Sequence, residues 1–197
     1  EMARWDIETI DLIILATSTP NDLFGSAPEI QSKLGAINAV AFDLTAACSG
    51  FLFAAITATQ FLKAGSYKRA VVIGSDQLSS YVDWNDRRSC ILFGDGAGAI
   101  AIEATNEFDN LIGFSMRTDG QRGSFLNLPS QNNQDLIIDD INFSSGGFSS
   151  IEMNGQEVYK FAVREVPLII ENLFKKTSFN SEKINWLLLD QANQIIL

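Results

Sequence analysis

Histidine is absent from all 197 residues. That removes the commonest general base and the commonest metal ligand, so no zinc site is expected. Cysteine occurs only twice, as Cys48 and Cys90. The two are not a short-spaced pair, which points to a reducing, cytoplasmic setting rather than a disulfide scaffold. Basic residues are also few: 14 Lys and Arg stand against 24 Asp and Glu, a formal charge of −10. Phosphate-backbone binding needs basic surface, so nucleic acid is not expected as a partner, although a local basic patch for a phosphate-bearing ligand remains open. No apolar run is long enough for a membrane span, and the N-terminus lacks a signal peptide's layout.

What is present is an ordinary globular balance, 46% apolar and 19% charged, in one domain's worth of length. Ile10 to Ala16 is an almost unbroken apolar run and predicts a strand buried on both faces. Ser26 is placed to cap a short helix ending at Leu34. Ala70 to Gly74 predicts a second buried strand, and Asp76 to Ser89 a polar loop. Two strands, Cys90 to Phe93 and Ala99 to Glu103, are expected to flank Gly94-Asp95-Gly96-Ala97-Gly98. Leu111 to Met116 predicts a further strand, and Thr118 to Ser150 a long functional excursion. Val158 to Phe174 has helical spacing that Pro167 should kink or split. Ile184 to Asp190 predicts a closing buried strand, and Glu1 to Arg4 the tail of a helix. Buried strands alternating with helices indicate an α/β fold with helices on both sheet faces. With no opening strand and no closing helix, chain is expected to be missing at both ends.

The stretch Asp43-Leu44-Thr45-Ala46-Ala47-Cys48-Ser49-Gly50-Phe51 organises the rest. A short β-leaning run, Ala39 to Leu44, precedes it, and Phe51, Leu52, Ala55, Ile56, Thr59 and Leu62 follow at helical spacing. Cys48 therefore falls where a buried strand is expected to give way to a buried helix. Unpaired N–H groups and the positive dipole end at a helix N-terminus favour the thiolate, the nucleophilic form. Small neighbours let a substrate approach the sulfur and the backbone turn sharply. A small buried cysteine that only fills space is the competing reading. The glycine-rich stretch lacks a P-loop lysine and lies between predicted strands, so close strand packing is favoured over a phosphate cradle.

Thr45-Ala46-Ala47-Cys48-Ser49-Gly50-Phe51, Phe93-Gly94-Asp95-Gly96-Ala97-Gly98-Ala99 and Asp190-Gln191-Ala192-Asn193 resemble the β-ketoacyl-acyl-carrier-protein synthase III family. Ala16-Thr17-Ser18-Thr19-Pro20 and Val72-Ile73-Gly74-Ser75-Asp76 match in the family's order. The resemblance implies a thiolase-like layered αβαβα fold with mixed sheets, divided into residues 1–110 with the nucleophile and residues 111–197. It implies condensation of acyl-CoA, usually acetyl-CoA, with malonyl-acyl-carrier-protein through a cysteine acyl-enzyme. Cys48 matches the nucleophile, and Arg87 the arginine near the coenzyme A adenine and phosphates. Gln156 and Tyr159 match the segment lining the pantetheine tunnel, and Phe24 a residue that reaches across a homodimer into the partner's acyl pocket. The bland readings are a solvated loop charge for Arg87, helix surface or core for Gln156 and Tyr159, and a core phenylalanine for Phe24. No cofactor is implied, coenzyme A entering as a thioester substrate. The acidic carrier protein would need basic surface, for which Lys160, Arg164, Lys175 and Lys176 are candidates.

Two departures stand out. The family motif reads His-Gln-Ala-Asn with an arginine two positions later, whereas Asp190 and Ile195 occupy those places here, and only Asn193 keeps the motif's last residue. The family's later glycine-flanked asparagine has no counterpart in these 197 residues. An ionised aspartate cannot donate a hydrogen bond, opposes an enolate and raises a nearby thiol's pKa. Three accounts follow: an ordinary synthase altered or incomplete in its end region, an acyl-transfer-only homologue, or a non-catalytic partner subunit. The intact cysteine motif argues against the third, and condensation by the chain as written is expected to be poor.

Overall fold

The apolar run after Asp11 forms strand β1 (Leu12–Ala16), and all five of its residues are buried. This computed structural model describes residues 3–106, 110–138 and 141–191. By contacts the chain divides into two units, one of Glu1–Leu78 and Gly94–Asp109, the other of Ser79–Phe93 and Asn110–Leu197.

In the first unit, β1 is followed by α1 (Ala27–Leu34), β2 (Val40–Leu44), α2 (Gly50–Lys63), β3 (Arg69–Gln77) and β4 (Asp95–Glu103). They build a mixed sheet in the order β2-β1-β3-β4, parallel between β1 and both its neighbours and antiparallel between β3 and β4. Alternation along β1 sorts its side chains between the two faces. Leu12, Ile14 and Ala16 pack with Ala54, Ala58 and Leu62 of α2 and with Ala70 and Val72 of β3. Ile13 joins Ile10 and Ala36 in a second cluster, flanked by Trp5, Ala41 and Ile73. The α2 stripe of Gly50, Ala54, Ala58 and Leu62 recurs every fourth residue, and three of these four are too small to hold the helix away from the sheet. Ile14 is fully buried, so Ile14→Ala should cost about 2–5 kcal/mol in lost burial plus cavity. A lowered urea midpoint with unchanged slope would register it.

The predicted β2 is present but is not buried on both faces. It lies at one edge of the sheet, and its burial runs from exposed Val40 to half-buried neighbours. The glycine-rich stretch does not separate two strands: Cys90 to Phe93 is a turn, and Gly96 and Gly98 lie inside β4, opposite Asp76 and Gly74. No atom lies within 4 Å of a Cβ added at either glycine, so close packing is not what these glycines serve among the described residues. Ser26 precedes α1, yet its side chain does not cap the helix. Arg4 has a φ of 52° and is not helical, while Glu1 and Met2 lie outside the described residues.

The second unit contains β5 (Leu126–Asn127), β6 (Ser130–Ile138), β7 (Ile141–Phe148), β8 (Glu152–Met153) and α3 (Gly155–Thr177). The predicted excursion is thus largely an antiparallel ribbon, β6 on β7. Helix α3 runs unbroken through Pro167 for 23 residues. Asn154 caps it by accepting from the Glu157 N–H at 3.3 Å, and Lys175 and Lys176 complement the dipole at its far end. Two predicted strands do not form: residues 111–116 and 184–190 are irregular. A strand buried on both faces needs flanking strands, and no described strand pairs with either segment. Leu188 is accordingly 88% exposed.

Candidate functional site

Edge strand β2 delivers the chain to Cys48 through a tight turn. Ala46 has φ −152° and ψ 36°, Ala47 to Ser49 form one 3-10 turn, and α2 begins at Gly50. The turn's left-handed residue is Ala47, with φ 48°, and not Gly50, whose φ is −53°. An L-residue held there stores roughly 1–2 kcal/mol, and such strain collects where a side chain must be aimed. Cys48 is exposed.

Two glycines let the head of α2 sit close on the sheet. A Cβ at Gly50 would meet the Ala16 Cβ at 3.3 Å, and one at Gly74 would meet the Phe51 ring at 3.2 Å. Gly74→Val should therefore push Phe51, and with it the first turn of α2, off the sheet. Overpacking of this kind costs about 1–3 kcal/mol. Thermal melting would report the loss, and slower alkylation of Cys48 by iodoacetamide would report the displaced turn.

The loop after β1 is fastened at both ends by carboxylates from neighbouring strands. Asp76 Oδ1 accepts from the Ser18 N–H at 2.7 Å and from the Thr17 and Thr19 hydroxyls at 3.3 and 3.2 Å. Thr19 Oγ1 in turn accepts from the Gln77 N–H at 2.8 Å. Asp43 accepts from the Ser26 N–H through Oδ2 at 2.8 Å and from the Ala27 N–H through Oδ1 at 2.7 Å. Asp43 thus holds the first N–H groups of the helix start from outside, while Ser26 Oγ accepts from the Asn21 and Asp22 N–H groups. A cleft of about 420 Å³ opens beside this loop, lined among others by Thr17, Asn21, Lys33, Asp76 and Asp95. Cys48 does not line it. Sequence reasoning gave Asp43 and Asp76 no role. The available signal was an acid at the carboxyl end of each apolar strand run.

Phe24 is 99% exposed. In the second unit, Arg87 is exposed and has no ion pair among the described residues, whereas Arg88 holds Asp86 through Nε at 2.9 Å and Nη2 at 3.0 Å. The Arg88 hydrogen bonds pull the Asp86 carboxyl below the usual carboxylate range and raise the guanidinium in turn. Gln156 and Tyr159 are exposed, one turn apart at the start of α3. Of the basic candidates on α3, Lys160 is engaged by Glu157 at 2.6 Å, Lys175 lies 4.0 Å from Glu171, and Lys176 reaches the Phe114 carbonyl. Asp190 is exposed in irregular chain, and Asn193 and Ile195 lie outside the described residues. Cys48 and Phe24 belong to the first unit, and Arg87, Gln156, Tyr159 and Asp190 to the second. Among the described residues no group of three His, Cys, Asp or Glu could hold a metal, and no helix is long and apolar enough to cross a membrane.

Comparison with known proteins gives a consistent result. Residues 42–120 match a family model described as 3-oxoacyl-[acyl-carrier-protein (ACP)] synthase III. Over all 197 residues the chain is 95% identical to the beta-ketoacyl-[acyl-carrier-protein] synthase III of Prochlorococcus marinus subsp. pastoris (strain CCMP1986 / NIES-2087 / MED4). It is 91% identical to that of Prochlorococcus marinus (strain MIT 9515). A crystal structure of the 3-oxoacyl-[acyl-carrier-protein] synthase III from Aquifex aeolicus VF5 superposes with a TM-score of 0.79 at 36% identity, covering 92% of this chain and 54% of that one. The corresponding Pseudomonas aeruginosa PAO1 enzyme gives 0.80 at 29% identity, over 95% and 56%. The chain spans 59% of the length of the two Prochlorococcus relatives.

Proposed function

Because the chain belongs to the β-ketoacyl-acyl-carrier-protein synthase III family, with its thiolase-type α/β fold, we propose that Cys48 carries the acyl group of a decarboxylating condensation that starts fatty acid synthesis. The Cys48 thiolate attacks the thioester carbonyl of an acyl-CoA, acetyl-CoA in the first instance. A carbon–sulfur bond to Cys48 forms, the bond to coenzyme A breaks, and the departing thiolate takes up a proton. Malonyl-acyl-carrier-protein then loses carbon dioxide, and its carbanion attacks the Cys48 thioester. The product is 3-oxoacyl-acyl-carrier-protein, and Cys48 leaves as thiolate. The covalent intermediate divides one hard step into two and uses the nucleophilicity of sulfur without a histidine base.

The observation that carries this reading is the exposed Cys48 at the head of α2, aimed by a strained turn. Backbone N–H groups at that helix start are suited to hold the oxyanion of the tetrahedral intermediate. Arg87, unpaired among the described residues, would contact the coenzyme's adenine and phosphates. Gln156 and Tyr159 would line the pantetheine path, and Asn193 would meet the same arm. Residues 1–110 and 111–197 would form the two halves of the fold. The exposed Phe24 would cross a homodimer, and the protein would work in the cytoplasm with acyl carrier protein as its second partner. No cofactor is needed, since coenzyme A arrives as substrate. Incubation with acetyl-CoA followed by intact-mass and peptide analysis tests the reading. A single acetyl adduct on Cys48 supports it, and an unmodified Cys48 under saturating acetyl-CoA overturns it.

A further inference from the structure

We propose that Asp43 is a positioning residue that locks the loop presenting Phe24 to the strand delivering Cys48. The inference rests on the reading of Cys48 as the acyl acceptor. A chain of hydrogen bonds carries it. Both oxygens of the half-buried Asp43 are spent on the start of α1, at 2.8 Å to the Ser26 N–H and 2.7 Å to the Ala27 N–H. Ser26 Oγ accepts from the Asn21 N–H at 3.0 Å, and Asp22 Oδ1 accepts from the Phe24 N–H at 2.8 Å. Gly25 between them has a φ of 112°, a conformation that L side chains rarely adopt, and a Cβ there would touch Asp43 Oδ1 at 3.6 Å.

Phe24 makes no burial of its own, being almost fully exposed, so its placement comes from the loop backbone and not from packing. Asp43 is five residues before Cys48 in the same edge strand and turn. One carboxylate therefore sets the loop relative to the strand, and the strand leads directly into the nucleophile's turn. Charge assistance makes its two bonds stronger than neutral ones. Preorganising an apolar anchor in this way lowers the ordering cost of whatever it meets.

Asp76 supplies the control. It fastens the other end of the loop with one oxygen, Oδ1, which an asparagine amide oxygen can replace. At Asp43 both oxygens are used, so asparagine must leave one N–H without an acceptor. In Asp43→Asn, amide exchange at Ser26, Ala27 and Phe24 should quicken about tenfold, as for loss of one charge-assisted hydrogen bond. The amides of Ile14 and Ala58 in the core should not move. In Asp76→Asn, Phe24 exchange should rise by less than about threefold, since a neutral acceptor remains in place. Half-saturation of Cys48 acylation by acetyl-CoA should rise roughly fivefold in Asp43→Asn, with the limiting rate within about twofold, because the loop and not the sulfur is loosened.

Unchanged exchange at Phe24, equal acceleration of the core amides, or a limiting rate that falls at constant half-saturation would each overturn the assignment. So would an Asp76→Asn effect as large as that of Asp43→Asn, since charge alone would then govern the loop. If the unsubstituted chain takes no acetyl group, the acyl-acceptor reading fails by itself, and the exchange ratios at Phe24 still decide the lock.

Discussion

Cys48→Ala is expected to abolish acetyl capture, lowering it by more than about 10⁴-fold, since the variant has no atom to form the thioester. Cys48→Ser should be almost as inactive, and this second arm is the more informative. A thiol ionises far more readily than a hydroxyl, and its thiolate attacks without a neighbouring base. A serine hydroxyl needs a base to remove its proton, and the chain contains no histidine to serve. The exposed position of Cys48 makes both substitutions structurally mild, so thermal midpoints should stay within about 2 °C of the parent, as for surface changes generally. Labelling with radioactive acetyl-CoA under denaturing work-up reads the covalent step alone. Retention of label in Cys48→Ala would move the nucleophile elsewhere, with Cys90 the first place to look.

Asp190→His should raise condensation with malonyl-acyl-carrier-protein by about 10²–10³-fold, the usual worth of one oxyanion donor. Asp190 accepts hydrogen bonds when ionised and cannot donate any; neutral imidazole donates one. At the family's histidine position, which the resemblance assigns to Asp190, a carboxylate would oppose the negative charge that builds on the enolate oxygen, and its removal would add to the gain. Acetyl capture by Cys48 should change far less, because attack on the first thioester does not form that enolate. The two half-reactions therefore separate the effects: product formation rises while the acylation burst keeps its amplitude. Equal rates before and after the substitution would place the defect away from position 190. Asp190→Asn is a useful intermediate, since its amide can donate without the imidazole's reach.

The elements that were legible from sequence are those with strong period and clean boundaries. β1 is a run of apolar residues in the middle of a sheet, and the spacing of Phe51, Leu52, Ala55, Ile56, Thr59 and Leu62 up to Gly65 predicts α2, although the residues it buries are Gly50, Ala54, Ala58 and Leu62 and Leu52 is exposed. Cys48 between strand and helix was legible for the same reason. The three strands that failed to form, at 90–93, 111–116 and 184–190, are short apolar stretches whose pairing partners a local pattern cannot supply. Pro167 was expected to kink or split the helix; α3 is not split there, the remaining backbone hydrogen bonds outweighing one lost donor. Asp43 and Asp76 escaped notice because their partners lie 16 to 59 residues away, beyond any motif window. Ser26 was read as a cap from its residue type and position, which cannot reveal that its hydroxyl is taken by the Asn21 and Asp22 N–H groups while a carboxylate from another strand holds the Ser26 and Ala27 N–H groups.

The φ of 48° at Ala47 restricts what natural variation can place immediately ahead of the thiol. Valine, isoleucine and threonine are barred by their branched Cβ, and larger unbranched residues add bulk to a backbone already held in an unfavourable basin. Glycine and asparagine fit that basin best, while alanine keeps some stiffness. A saturation library at this single codon should thus recover a very short alphabet.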